Sequence, residues 1–120
     1  MTNIAMMLIS AMILVESQGD NGAINGASWG PLQITADYVI DVNRLCGTSY
    51  KHSQVFDREI AIEIMTKYMS IYATKEKLGH EPTWENIARI HRKGPKGWCN
   101  PASYSYWLRV KKEMKKIKKE

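Results

Sequence analysis

Residues 11–20, AMILVESQGD, run through apolar side chains to a single acid, Glu16, and then turn polar and glycine-rich. Ile4, Met7, Leu8, Ala11, Met12 and Val15 recur at three- and four-residue steps, the period of an amphipathic helix. Glu16 stands four residues beyond Met12 and extends the edge of that buried stripe. A carboxyl group beside apolar packing loses hydration, and in the last turn of a helix it also faces the negative end of the helix dipole. Both effects disfavour the ionised form and keep a proton available, which is what a general acid requires near neutral pH. The alternative is an acid that marks only where the helix leaves the core, with its side chain in water.

The elements that must hold this acid can be read from caps and breakers. Residues 17–35 carry glycines at 19, 22, 26 and 30 and Pro31, which exclude a regular helix and predict a turn-rich loop or short β ribbon. Thr35 then caps a second helix with Tyr38, Val39, Val42 and Leu45 on its apolar face and Gly47 as its stop. After an irregular stretch over 48–56, Asp57 caps a long third helix. It buries Ile60, Ala61, Ile64, Met65, Tyr68, Met69, Ile71 and Tyr72 and runs to Gly79. Thr83 starts a fourth helix that aligns Trp84, Ile87, Ala88 and His91, and the KGP at 93–95 breaks it. Asn100 and Pro101 open a fifth, with Tyr104, Trp107, Leu108 and Met114 inward and lysines outward. The expected fold class is mainly α (α+β): about five helices with a small β/turn element after the first, in one domain over 1–120.

The whole-chain properties bound the answer. A chain of 120 residues holds one modest core. The net charge is +5, concentrated in a basic helix end at about 109–120. That run suits an anionic polymer, nucleic acid or a membrane surface, and equally a solvated helix face. Cys46 and Cys99 show no metal-ligand spacing, and His52, His80 and His91 are scattered, so no metal and no cofactor are expected. Two free buried thiols are expected in preference to a disulfide. The first 17 residues lack a basic leader and a small-x-small cleavage site and are too short to span a bilayer. No signal peptide and no transmembrane segment are therefore expected, with synthesis in the cytoplasm. A glycine-rich phosphate loop and an aromatic RNA-binding motif are both missing, so no nucleic-acid partner is expected, although the basic helix keeps one as a competing reading.

Four stretches in order, VES, GPLQIT, ARIHRKGPKG and YSYW, resemble the lysozyme-like superfamily, which includes bacterial and phage lytic transglycosylases and goose-type and invertebrate-type lysozymes. The resemblance runs from about Ile4 to Val110. It implies a lysozyme-like fold with a groove across it and Glu16 as the catalytic acid. The implied substrate is the β-1,4 bond between N-acetylmuramic acid and N-acetylglucosamine in peptidoglycan. By position it places Ser17 directly after the acid, Gln33 along the groove, and Tyr38, His91 and Tyr106 holding or flanking the sugar. A monomer acting on the bacterial cell wall is the expected form, with a phage-type lysin or a wall-remodelling module suggested by small size and the missing leader. Trp29, Tyr38, Trp98 and Tyr106 are candidate groove walls. Trp107 is assigned to the core, and His91 to a hydrogen-bonded role shaping the site.

Two departures qualify the resemblance. Invertebrate-type relatives read His-Asn-Gly-Gly-Pro where this chain has His91, Arg92, Lys93, Gly94 and Pro95, so two cations enter beside the groove. Residues 21–34 contain no Asp or Glu, leaving Asp20, Asp37 and Asp41 as the nearest partner acids. Lytic transglycosylases work with one glutamate because the substrate's own 6-hydroxyl attacks. The missing acid favours that chemistry, or a hydrolase that depends on Glu16 alone. A catalytically silent glycan-binding module is the reading from a different class.

Overall fold

Helix α1 (Met6–Ser17) carries apolar side chains on nearly every side, so it can only be stable at the centre of a core. In the computed structural model, which describes residues 6–119, it buries Leu8, Ile9, Ala11, Met12 and Ile13. The predicted stripe is thus widened by Ile9 and Ile13, with Met7 and Val15 at its half-buried edges; Ile4 lies outside the described residues.

A short hairpin follows, β1 (Ile24–Asn25) against β2 (Ser28–Trp29), with Ile24 opposite Trp29, and Trp29 then bridges back to Ile34. The tight turn at 30–34 matters most for the site. Gly30 has φ +81°, and a Cβ there would lie 2.2 Å from the Val55 carbonyl oxygen, so the turn is seated directly on the 3₁₀ segment His52–Phe56.

Three of the remaining helices begin where their caps predict, whereas Asn100 caps a 3₁₀ turn ahead of the last helix. Thr35 Oγ1 accepts from the Tyr38 amide at the start of α2 (Ala36–Cys46), and Asp57 accepts from the Glu59 and Ile60 amides at the start of α3 (Arg58–Tyr72). Thr83 and Asn86 form a reciprocal capping box at α5 (Trp84–Lys93). The third helix does not reach Gly79. It stops at Tyr72, and Thr74 caps a separate turn, α4 (Lys75–Leu78), by accepting from the Lys77 amide. The described residues thus hold six α-helices, in keeping with the expected count of about five, the additional one being the single turn α4. Two 3₁₀ turns, Gly97–Cys99 and Pro101–Ser103, lead into α6 (Tyr104–Lys119), which packs along α1.

Helix α6 is rotated from its predicted setting. Tyr104 and Leu108 are exposed, Trp107 is half-buried at the edge of the core, and Tyr106, Val110 and Met114 point inward. The reason is at the helix start. Buried Ser103 accepts from Arg89 Nε at 2.8 Å while its hydroxyl faces the Gly97 and Asn100 carbonyls. That anchor fixes the inward phase at 103, 106, 110, 114 and 117, the three-four spacing of a packed helix. Leu45, expected on the inner face of α2, is also exposed. The inward positions of the last turn are taken by Val42 and half-buried Cys46, four residues apart, which leaves Leu45 facing out. Both cysteines are free, Cys46 half-buried and Cys99 exposed rather than buried. No described helix is long and apolar enough to cross a membrane.

Candidate active site

Glu16 ends α1 with its side chain only 4% exposed. Two open depressions meet at it. One is walled by Gln33, Asp37, Asp41, Tyr68 and Arg92, the other by Gln18, Asp20 and Asn25, and Glu16 is the one lining residue they share. The carboxyl group therefore sits in the floor of a trough with open space on both sides.

Two helices close on it. From α5, Arg92 Nη1 lies 3.2 Å from Oε1, and His91 Nε2 lies 3.7 Å from Oε2. From α6 comes Tyr106, whose buried hydroxyl makes no hydrogen bond of standard geometry. Burial first, and then the nearby Glu16 charge, hold the Tyr106 hydroxyl well above the ordinary tyrosine range, so it stays a protonated donor beside the acid. The Arg92 guanidinium also lies 5.3 Å above the Tyr106 ring, which joins acid, cation and aromatic ring in one cluster.

His91 has a defined tautomer. Its Nε2 lies 2.8 Å from the Leu32 carbonyl oxygen, which can only accept, so Nε2 carries the proton and donates. Nδ1 is then the acceptor for the Tyr38 hydroxyl at 2.9 Å. Burial, with Arg92 adding to it, lowers the His91 pKa against the opposing pull of Glu16 and of the Leu32 carbonyl. Tyr38 is in turn held well above its usual range by burial, then by Tyr68, then by Glu16. Its ring stacks on Tyr68 at 3.8 Å. A neutral imidazole thus ties α2, α5 and the 30–34 turn together below the acid.

That arrangement predicts a pH dependence of stability. An unfolded histidine protonates near 6.5, whereas folded His91 remains neutral to lower pH. Between those two values the unfolded chain binds more protons, so the contribution is complete above about 6.5 and is lost as the pH falls toward the folded value. Thermal unfolding from pH 7.5 down to pH 5 should show a falling midpoint in the wild type and a flatter profile in His91→Gln. Parallel profiles would contradict the assignment.

The other residues singled out in the sequence fall into two groups. Ser17 Oγ lies 3.0 Å from the Ile13 carbonyl and 2.9 Å from the Pro31 carbonyl, tying the end of α1 to the turn. Gln33, itself at φ +54°, donates from Nε2 to the Gly30 carbonyl at 2.9 Å and accepts from Asn25 at Oε1. Its amide braces the turn while its edge lines the trough. Trp29, expected as a groove wall, packs instead on His52 at 3.8 Å and donates to the Gly26 carbonyl. Trp98 lies in a neighbouring cleft with Tyr72. The pairing of Arg92 with Glu16 across 76 positions, and the wall of Asp37, Asp41 and Tyr68, carried no local sequence signal beyond the substituted HRKGP loop.

No family model matches the chain. It is 36% identical over 86 residues to a lysozyme of Ostrea edulis, a match that covers 72% of this chain and 60% of the relative's length. A chain of the crystal structure of Aeromonas hydrophila PliI in complex with Meretrix lusoria lysozyme superposes with a TM-score of 0.77 and 27% identity. It covers 91% of this chain and 89% of that one. The fold is that of the lysozyme-like superfamily. In this lysozyme-like chain, the helix bearing Glu16, the hairpin and the turn at 30–34 meet α2, α3 and α5 around the trough.

Proposed function

We propose that this lysozyme-like chain is a muramidase of the invertebrate type that cleaves the β-1,4 bond between N-acetylmuramic acid and N-acetylglucosamine. The observation that carries the reading is Glu16 itself, a nearly enclosed carboxyl group at the floor of an open trough. The Ostrea relative supports lysozyme chemistry over the phage and transglycosylase branches.

In this reading a glycan strand lies along the trough and Glu16 protonates the leaving glycosidic oxygen. Once the proton has gone, the carboxylate keeps Arg92 at its Oε1 side, with the buried Tyr106 hydroxyl close by as a further donor. Neutral His91 does not compete for the proton; it fixes the Leu32 carbonyl and Tyr38 instead. For the attacking water the trough offers three further carboxyl groups, of which Asp20 already accepts from the Gly22 amide at 2.9 Å. Asp41 is engaged by the Tyr72 hydroxyl at 2.9 Å and by Arg44 at 3.2 Å. We assign the water to Asp37, the exposed acid in the first turn of α2 that lines the same depression as Glu16.

The test is mass spectrometry of the products formed from purified peptidoglycan. Free reducing ends are expected. 1,6-Anhydro ends would replace hydrolysis by intramolecular transglycosylation, the reaction suggested by the acid-free stretch at 21–34. One observation favours a silent glycan binder, namely that Arg92 already occupies one oxygen of the acid. Saturable glycan binding by folded protein with no product at any pH from 4 to 8 would establish that reading instead.

A further inference from the structure

Beside the trough, Tyr72 of α3, Lys77 of α4, and Pro95, Lys96, Trp98 and Cys99 of the segment after α5 line a second cleft. We propose that it is a distal glycan subsite that selects strands bearing carboxylates, a specificity that rests on the glycosidase reading above.

The first argument is continuity. Tyr68 lines the trough and Tyr72 the second cleft, and their rings touch at 4.8 Å. The Tyr72 hydroxyl donates to Asp41, which lines the trough, at 2.9 Å. Gly94 of the trough is joined through the chain to Pro95 of the cleft. The two depressions are therefore neighbours, bridged by the Tyr68–Tyr72 pair and the 94–95 backbone, and a linear polymer lying over Glu16 can reach Trp98.

The second argument is the chemistry of the walls. Tyr72, Pro95 and half-buried Trp98 give flat apolar faces of the kind that meet the C–H faces of pyranose rings. Lys77 and Lys96 supply two cations at the same cleft, with Lys77 Nζ 5.8 Å above the Tyr72 ring. Among the described residues neither lysine forms an ion pair. Such a site suits a sugar that carries an acid. Muramyl residues do so, on the lactyl group or on the peptide stem attached to it, and a neutral polymer of N-acetylglucosamine does not.

The third argument is that the cleft is held in shape. A Cβ at Gly97 would lie 2.1 Å from the Arg89 carbonyl oxygen, so the segment bearing Trp98 is pressed onto α5. His80 meets the Trp98 ring edge-on at 6.1 Å, and His80 is itself hydrogen-bonded to Asn86 at 3.0 Å. Trp98 is therefore positioned before any ligand arrives.

The experiment measures the affinity of the full chain, carrying Glu16→Gln to prevent turnover, for two soluble glycans of equal length. One is an uncrosslinked peptidoglycan fragment with free stem carboxylates, and the other is a neutral β-1,4-linked N-acetylglucosamine oligomer. The carboxylated strand should bind about tenfold more tightly, and the ratio should fall toward one in Lys77→Met/Lys96→Met, a change of two exposed side chains that leaves the core untouched. Trp98→Ala should weaken both glycans. Equal affinities for the two glycans, or a ratio unmoved by removing both lysines, would overturn the subsite while leaving the glycosidase reading in place. Failure of both glycans to bind, together with no products from the wild type, would overturn that reading itself.

Discussion

Glu16→Gln should reduce the rate of reducing-end release from purified peptidoglycan roughly a thousandfold, the scale on which a positioned general acid contributes. Glutamine matches glutamate in shape, and its amide oxygen can still accept from Arg92, so the cluster of Arg92, Tyr106 and His91 is retained. What is lost is the one proton that can be handed to a leaving oxygen. Arg92 is 42% exposed, so water can take over part of its solvation when the carboxylate charge is removed. The stability change should stay within about 1 kcal/mol, as expected for an ion pair with one solvated partner. Initial rates and the thermal midpoint of the same preparation check both halves. A variant that keeps more than a tenth of wild-type turnover would remove Glu16 from the acid's role, and a collapsed midpoint would mean that the carboxylate is chiefly structural.

The parts of this fold that were legible in the sequence are those governed by short-range chemistry. Thr35, Asp57 and Thr83 each cap an amide within three residues, and the interaction is complete inside the segment that encodes it. The same rule could have found Thr74, whose hydroxyl accepts from the Lys77 amide, but the apolar rhythm running to Tyr72 hid the break. The phase of α6 is not legible in the sequence because two apolar faces compete along it. Tyr104 and Leu108 fit one helical face and Tyr106 and Val110 another, and the choice is made by Arg89 holding Ser103, an interaction between separate elements. The site divides in the same way. The position of Glu16 followed from the stripe beginning seven residues or more before it, and Tyr38, His91 and Tyr106 do converge near it in space. The Arg92 ion pair and the walls from α2 and α3 depend on tertiary packing, which no local pattern encodes.

Gly30→Ala should be the most damaging single-methyl change in the region, costing about 3 kcal/mol and roughly 10 °C in thermal midpoint for a domain of this size. Two independent penalties combine. The φ of +81° belongs to the left-handed region that an L side chain avoids, and the added Cβ would lie 2.2 Å from the Val55 carbonyl oxygen and 2.9 Å from its carbon. Neither neighbour is a flexible side-chain end, so backbone must move. The displacement has a direct route to the acid. Gly30 donates to the Ala23 carbonyl at 2.8 Å and accepts from the Gln33 amide at 3.1 Å, and the same turn carries the Leu32 carbonyl that receives the His91 proton. Gly26→Ala is the matched control, because Gly26 also has positive φ, +61°, but has nothing within 4 Å of a built Cβ. It should show the conformational penalty alone, about 1 kcal/mol, and keep most of its turnover. Thermal denaturation and peptidoglycan turnover of the two variants therefore separate strain from collision. Equal losses of stability would show that the seating of the turn on Val55 contributes nothing. A Gly30→Ala protein that is destabilised yet fully active below its midpoint would show that the Leu32 carbonyl and His91 do not transmit the turn's position to Glu16.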